Sequence, residues 1–138
     1  MQKLDRESII GISALLVHAA NIDEIYSEHE KEIVKNFIKS YLKDADVNEV
    51  LTKAENIENN SNQLLNYTNI IKQNSMEIKK DIIEHLWKVI ISDKTVDQYE
   101  SNLMRRICGL IYFPDKECAE IKLKLLNKKW LILLKMNV

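Results

Sequence analysis

Asp23-Glu24-Ile25-Tyr26-Ser27-Glu28-His29-Glu30-Lys31-Glu32-Ile33-Val34-Lys35-Asn36-Phe37-Ile38 is the stretch on which the fold turns. Ser27 followed three positions later by Glu30 is a capping-box pattern, in which the hydroxyl accepts the N3 amide and the N3 carboxylate accepts the N-cap amide. A helix therefore starts at Ser27. Behind that start, Ile33, Val34, Phe37, Ile38 and Tyr41 recur at three- and four-residue spacing, the stripe of a helix with one buried face. Ahead of it, Ile9, Ile12, Leu15, Leu16 and Ala19 keep the same spacing, so a first helix runs from just after Asp5 to near Ala20. The unit is a helical hairpin with an acidic bend.

The same unit recurs at a constant offset of 70 positions. Glu7 matches Glu77, Ile12 matches Ile82, Leu16 matches Leu86, Asp23 matches Asp93 and Glu30 matches Glu100. The stripe Ile33, Val34, Phe37, Ile38 maps onto Leu103, Met104, Ile107, Cys108. One hairpin cannot bury its apolar face alone, so two are expected to pack face to face about a pseudo-two-fold axis.

Outward from the hairpins the pattern stays helical. Val47, Val50, Leu51, Ala54 and Ile57 suggest a short helix, Glu58-Asn59-Asn60-Ser61-Asn62 a polar loop, and Leu64, Leu65, Ile70 and Ile71 another helix. A fifth helix spans about Ser75 to Ile91, and a sixth is capped by Asp97 with Glu100 at N3. Phe113-Pro114-Asp115 breaks the chain, with Pro114 suited to the first turn of a last helix carrying Cys118, Ile121 and Leu125. Only two glycines and one proline occur in 138 residues, which argues against a sandwich or barrel and excludes a glycine-rich phosphate loop. The expected fold is all-α, a compact bundle of about seven helices with a pseudo-two-fold repeat of helix–acidic loop–helix hairpins. Residues 1–128 form the helical domain. Residues 129–138, with the run Trp130 to Leu134, form an apolar extension docked on the core or used as a homodimer contact.

Charge narrows the partners. Twenty basic and 21 acidic residues leave a net charge of -1, with no basic stripe for nucleic acid. No apolar run approaches the roughly 20 residues needed to span a bilayer, and Met1 to Asp5 does not open a signal peptide. Cys108 and Cys118 are expected to be reduced thiols in the cytoplasm.

Both bends read Asp, six residues, then Glu: Asp23 with Glu30, and Asp93 with Glu100. An acid at N3 caps its helix and complements the dipole, worth about 0.3–1 kcal/mol. The same four carboxylates, gathered in one cleft, would hold a hard divalent cation through oxygen ligands, Ca²⁺ or Mg²⁺ by preference. Like charges that close need a cation or protons to offset repulsion.

Two Asp-x6-Glu bends between amphipathic helices, in an all-helical chain of this length, resemble the tellurite-resistance protein TerB family. They are similar also to the related helical domain near the N-terminus of the DnaJ-like co-chaperone DjlA. The resemblance runs from about Ile9 to Leu126. It implies a compact helical bundle, a metal site at the loop acids, and association with stress-response complexes at the inner membrane face. Residue by residue, the family's loop Asp falls on Asp23 and Asp93, and its helix Glu on Glu30 and Glu100. Where the family's loops read Ala-Asp-Gly, Glu24 and Lys94 follow the aspartates here.

Other constellations are weaker. Counted from Asn21, an EF-hand would have Tyr26 at its glycine position. His18, His29, His85 and the cysteines match no zinc spacing. Cys108 sits on an apolar stripe and reads as core, as does Trp87 unless it is exposed to a partner. Three functions follow. The first is a non-enzymatic cation-binding or scaffolding module in a cytoplasmic stress-response assembly. The second is a metal-free protein-interaction domain with an apolar patch near Trp87 or Trp130. The third is an enzyme with a carboxylate-lined pocket.

Overall fold

The computed structural model describes the backbone of residues 4–21, 26–60, 64–91 and 98–136, and their side chains except at 59–60, 64–65, 98–100 and 129–136. Among the described residues there are seven helices and no strand: α1 (Arg6–Asn21), α2 (Glu28–Lys39), α3 (Asp44–Asn60), α4 (Leu64–Lys72), α5 (Met76–Ile91), α6 (Gln98–Ile111) and α7 (Asp115–Met136).

Two helices, α1 and α5, form the centre. From Ile9 to Ala20 every residue of α1 except His18 is buried, as expected of a helix apolar all round. It packs against α2, α3, α4 and α5. Asp5 caps its start, accepting the Ser8 N–H at 2.7 Å, and that bond holds the Asp5 carboxyl below its ordinary pKa. Gly11 faces α4: a Cβ there would meet Ile70 Cδ1 at 2.6 Å, so a larger residue would require the end of the Ile70 side chain to move.

The second central helix, α5, buries Ile78, Ile82, Ile83, Leu86, Trp87, Val89 and Ile90, and touches α1, α2, α4 and α7. Ser75 caps it, accepting the Ile78 N–H at 3.2 Å. Trp87 is core, 3% exposed, which removes it as the centre of an exposed apolar patch. A polar strap joins α5 to the residues just beyond α2: the Tyr41 hydroxyl donates to Asp81 Oδ2 at 2.6 Å. His85 Nδ1 donates to the Asp81 carbonyl at 2.8 Å, and its ring packs edge-on against Phe37.

α3 covers α1 and α2, α4 reaches α6, and α7 covers α5 and α6. Arg6 anchors the start of α3 through Glu49 at 3.1 Å and Asp46 at 3.5 Å. The α6–α7 turn is a Schellman closure: Phe113 N–H bonds the Cys108 carbonyl at 2.9 Å and Tyr112 N–H the Gly109 carbonyl at 3.4 Å. Tyr112 takes the left-handed position, φ 59°, where glycine is usual. Pro114 stands one residue ahead of α7 rather than in its first turn, and its carbonyl accepts the Cys118 N–H.

The extent of α3 differs from expectation. α3 is 17 residues long, and the segment from Glu58 to Asn60, expected in a loop, continues the helix. Within it Ile57 is 39% exposed whereas Glu58 is buried. Spacing explains this: 47, 50, 51, 54 and 58 lie on one face, and Ile57 lies beside it. The boundary between residues 128 and 129 falls inside α7, and the side chains beyond it lie outside the described residues.

Candidate cation site at the α1–α2 turn

The entrance of α2 forms as its sequence requires. Ser27 has extended backbone, φ −80° and ψ 164°, and its Oγ accepts the Glu30 N–H at 3.2 Å. Its own N–H donates to Glu30 Oε1 at 2.8 Å. Both bonds of the capping box are therefore present, and they fold the Glu30 carboxylate over the positive end of the helix. Glu30 is only 2% exposed.

Tyr26 precedes the cap and packs its ring against the core. Burial pushes its phenol pKa up, and the carboxylates of Glu55, Glu30 and Glu28 push it further in the same direction. Lys31 answers this charge, with Nζ 5.2 Å from the Tyr26 ring centre, 3.8 Å from Glu28 and 4.0 Å from Glu55.

On the α1 side, α3 supplies a second acid one turn on from Glu55. Glu58 Oε2 accepts from Asn21 Nδ2 at 2.8 Å, and Glu58 Oε1 accepts from His18 Nδ1 at 3.2 Å. These bonds fasten the last turn of α1 to the end of α3. The two α3 carboxylates thus reach described residues on either side, Glu58 the last residue of α1 and Glu55 the Tyr26 that precedes α2.

Of the four acids expected to hold a cation, Glu30 stands where the sequence puts it, at N3 of a capped helix. Glu100 falls at N3 of α6, but its side chain lies outside the described residues. Asp23 and Asp93 lie outside them entirely. Among the described residues no three His, Cys, Asp or Glu side chains gather to hold a metal ion. His29 is exposed on the first turn of α2, and His85 is bonded to Asp81, so the histidines do not converge. The cluster of His18, Asn21 and Glu58 escapes a reading for metal motifs. Its signal was the position of Glu58 on the buried face of α3.

A family model, Tellurite resistance protein TerB, matches residues 10–123. The chain belongs to the TerB family. The match enters in the second turn of α1 and ends within α7, so it takes in all seven helices of the TerB fold seen here. Comparison with curated proteins returned no match, and neither did comparison with solved structures. No described helix of this TerB-family chain is long and apolar enough to cross a membrane.

Proposed function

We propose that this TerB-family chain is a non-enzymatic helical module. Its bends, with Asp23 and Glu30 in one and Asp93 and Glu100 in the other, take up a divalent cation, Ca²⁺ or Mg²⁺ before Zn²⁺. One observation carries the reading. Glu30, 2% exposed and folded over the start of α2 by its capping box, follows directly on the sequence bend that carries Asp23. Carboxylate oxygens from Asp and Glu are the ligands a hard cation prefers. The cation orders the turn, and the ordered turn is the surface offered to a protein partner in a cytoplasmic stress-response assembly at the inner membrane face. No nucleic acid is involved.

Support for a second, equivalent bend comes from the helix bounds. α5 begins and ends 70 residues after α1, α6 begins 70 after α2, and α7 begins 71 after α3. We infer a duplication of a three-helix unit, with α4 as the connector.

Calorimetry with Ca²⁺, Mg²⁺ and Zn²⁺ tests the cation on the wild type and on the double variant Glu30→Gln/Glu100→Gln. Heat of binding is expected for the wild type and is expected to vanish in the variant. Glutamine keeps the Ser27 cap, so such a loss would not reflect an unravelled helix. Identical null titrations overturn the cation. In that event the capping box, which already gives Glu30 a structural role, favours a second reading, a metal-free protein-interaction domain that is monomeric or paired through the 129–138 extension.

A further inference from the structure

Away from the acidic turn, α5, α6 and α7 enclose a cleft of about 550 Å³ lined by Trp87, Ser101, Met104, Arg105, Cys118 and Lys122. Asp115 is the one carboxylate among its described lining residues. Cys118 is 6% exposed and forms part of the wall, whereas Cys108 is fully buried behind it. Neither is in a disulfide. The Cys108 and Cys118 thiols lie close enough to shift each other's ionisation. Trp87 Nε1–H donates to the same sulfur at 3.3 Å and to the Cys118 carbonyl at 3.2 Å. Cys118 also sits in the first turn of α7, at the positive end of the helix.

This arrangement makes the two thiols unequal. Cys108 and the Trp87 N–H beside Cys118 Sγ hold the Cys118 thiol below its ordinary pKa, against burial. The neighbouring Cys118, together with burial, pushes the Cys108 thiol up. One sulfur faces the cleft and accepts the Trp87 N–H; the other is fully buried. Arg105 and Lys122 give the cleft a positive rim, and Lys122 Nζ also lies 5.3 Å from the Trp87 ring centre.

We propose that Cys118 and Cys108 are a thiol–disulfide exchange pair, whose substrate is a small anionic disulfide seated in this cleft with its carboxylates on Arg105 and Lys122. The Cys118 thiolate attacks one sulfur of the substrate and forms a mixed disulfide. The substrate's S–S bond breaks, and its other half leaves as a thiolate that takes up a proton. Cys108 then attacks Cys118 Sγ, its proton passing to the departing substrate sulfur. The Cys108–Cys118 bond forms, and the second half of the substrate leaves as a thiol. Two protein thiols are oxidised and one disulfide is reduced to two thiols, so no other oxidant enters.

The test uses the full chain with glutathione disulfide as the anionic probe and cystamine as the cationic one, read by intact mass and peptide mapping. Wild type is expected to lose two hydrogen atoms. Cys108→Ser is expected to stop with one glutathionyl group on Cys118, and Cys118→Ser to stay unmodified at Cys108. Arg105→Gln/Lys122→Gln is expected to slow reaction with glutathione disulfide about tenfold while leaving cystamine no slower. The trapped Cys108→Ser adduct decides the case even if Cys118→Ser folds poorly by circular dichroism. The proposal is overturned by three results: no adduct under conditions that convert a cysteine peptide, equal slowing with both probes, or a disulfide formed by hydrogen peroxide while glutathione disulfide leaves the chain untouched.

Discussion

Replacing Glu58 by alanine should be among the more damaging single changes outside the apolar core. The carboxylate is 8% exposed and accepts two hydrogen bonds, 2.8 Å from Asn21 and 3.2 Å from His18. A hydrogen bond to a charged group contributes about 1.5–3 kcal/mol when both partners are shielded from water. His18 is 24% exposed and Asn21 is half-buried, so both can rehydrate once freed, and the sum falls well short of twice that value. We expect Glu58→Ala to cost about 2–3 kcal/mol, which for a chain of this size lowers Tm by about 7–10 °C. Glu58→Gln keeps an acceptor for Asn21 and should cost about 1 kcal/mol. Urea unfolding followed by circular dichroism gives both numbers. A double-mutant cycle with Asn21→Ala should return a coupling of about 1 kcal/mol. The reasoning fails if Glu58→Ala unfolds within 0.5 kcal/mol of wild type, roughly the range of ordinary surface substitutions. The same variant bears on function, because Asn21 is the last residue of α1 before the turn that holds Asp23. Loosening that turn should weaken any cation uptake without removing a proposed ligand.

Three further outcomes are expected. Tyr41→Phe removes the donor 2.6 Å from Asp81 and should cost about 1–2 kcal/mol at neutral pH, since the pair is half-buried. Burial alone would raise the Asp81 pKa, but His85 and Tyr41 outweigh it and hold the carboxyl below its ordinary value. The stability this lends is therefore complete above about pH 4 and lost as pH falls through the folded value. Urea midpoints of the two proteins should accordingly converge in acid, with the variant starting its decline at higher pH. Tyr112→Gly relieves a left-handed tyrosine, about 1 kcal/mol, but removes the contact with Lys72 Nζ, 4.6 Å from its ring centre and worth about 0.5–1 kcal/mol. Thermal melts should show a gain of a few tenths of a kcal/mol in the wild type and about 1 kcal/mol in a Lys72→Ala background. Ser13→Ala should stabilise by about 0.5–1 kcal/mol in the same assay, because the buried Oγ has no partner among the described residues and alanine is the better helix former.

The helices were legible because their signals are local. Ser27 and Glu30 show a cap within four residues, and the apolar run from Ile9 to Ala20 shows a central helix by leaving no polar face. What escaped is non-local. Glu58 is tolerable inside the bundle only because His18 and Asn21, 40 and 37 positions away, reach it, and no window of sequence displays such a pairing. Its neighbours Asn59, Asn60, Ser61 and Asn62 have the composition of a loop, and that composition masked a residue on the buried face. Trp87 was ambiguous for the same reason: only packing brings Cys118 within bonding distance of its N–H. Of the candidate cation site, the sequence showed the capped Glu30 but not the two α3 carboxylates that reach Asn21 and Tyr26.

On the duplication reading, the two halves of the bundle have diverged in complementary ways. Carried through the helix offsets, Trp87 falls on Val17, Cys108 on Ile38 and Cys118 on Val47. All three counterparts are buried apolar residues, so the first half uses as plain core what the second half uses for its thiols. In the other direction, His18 falls on Lys88, Asn21 on Ile91 and Glu58 on Lys129. A lysine cannot accept what Glu58 accepts, so the matching sequence positions do not repeat the residues of the first clasp. Lys94 adds a positive charge directly after Asp93, where the first turn has Glu24. The turns are therefore not interchangeable. On the proposed cation reading, charge favours the first bend, where Glu24 follows Asp23, over the second, where Lys94 follows Asp93. Single substitutions at Glu30 and Glu100 should then be unequal in calorimetry, with Glu30→Gln the more costly; equal losses would mean that the ion sits symmetrically and that the asymmetry of the flanking residues has no bearing on it.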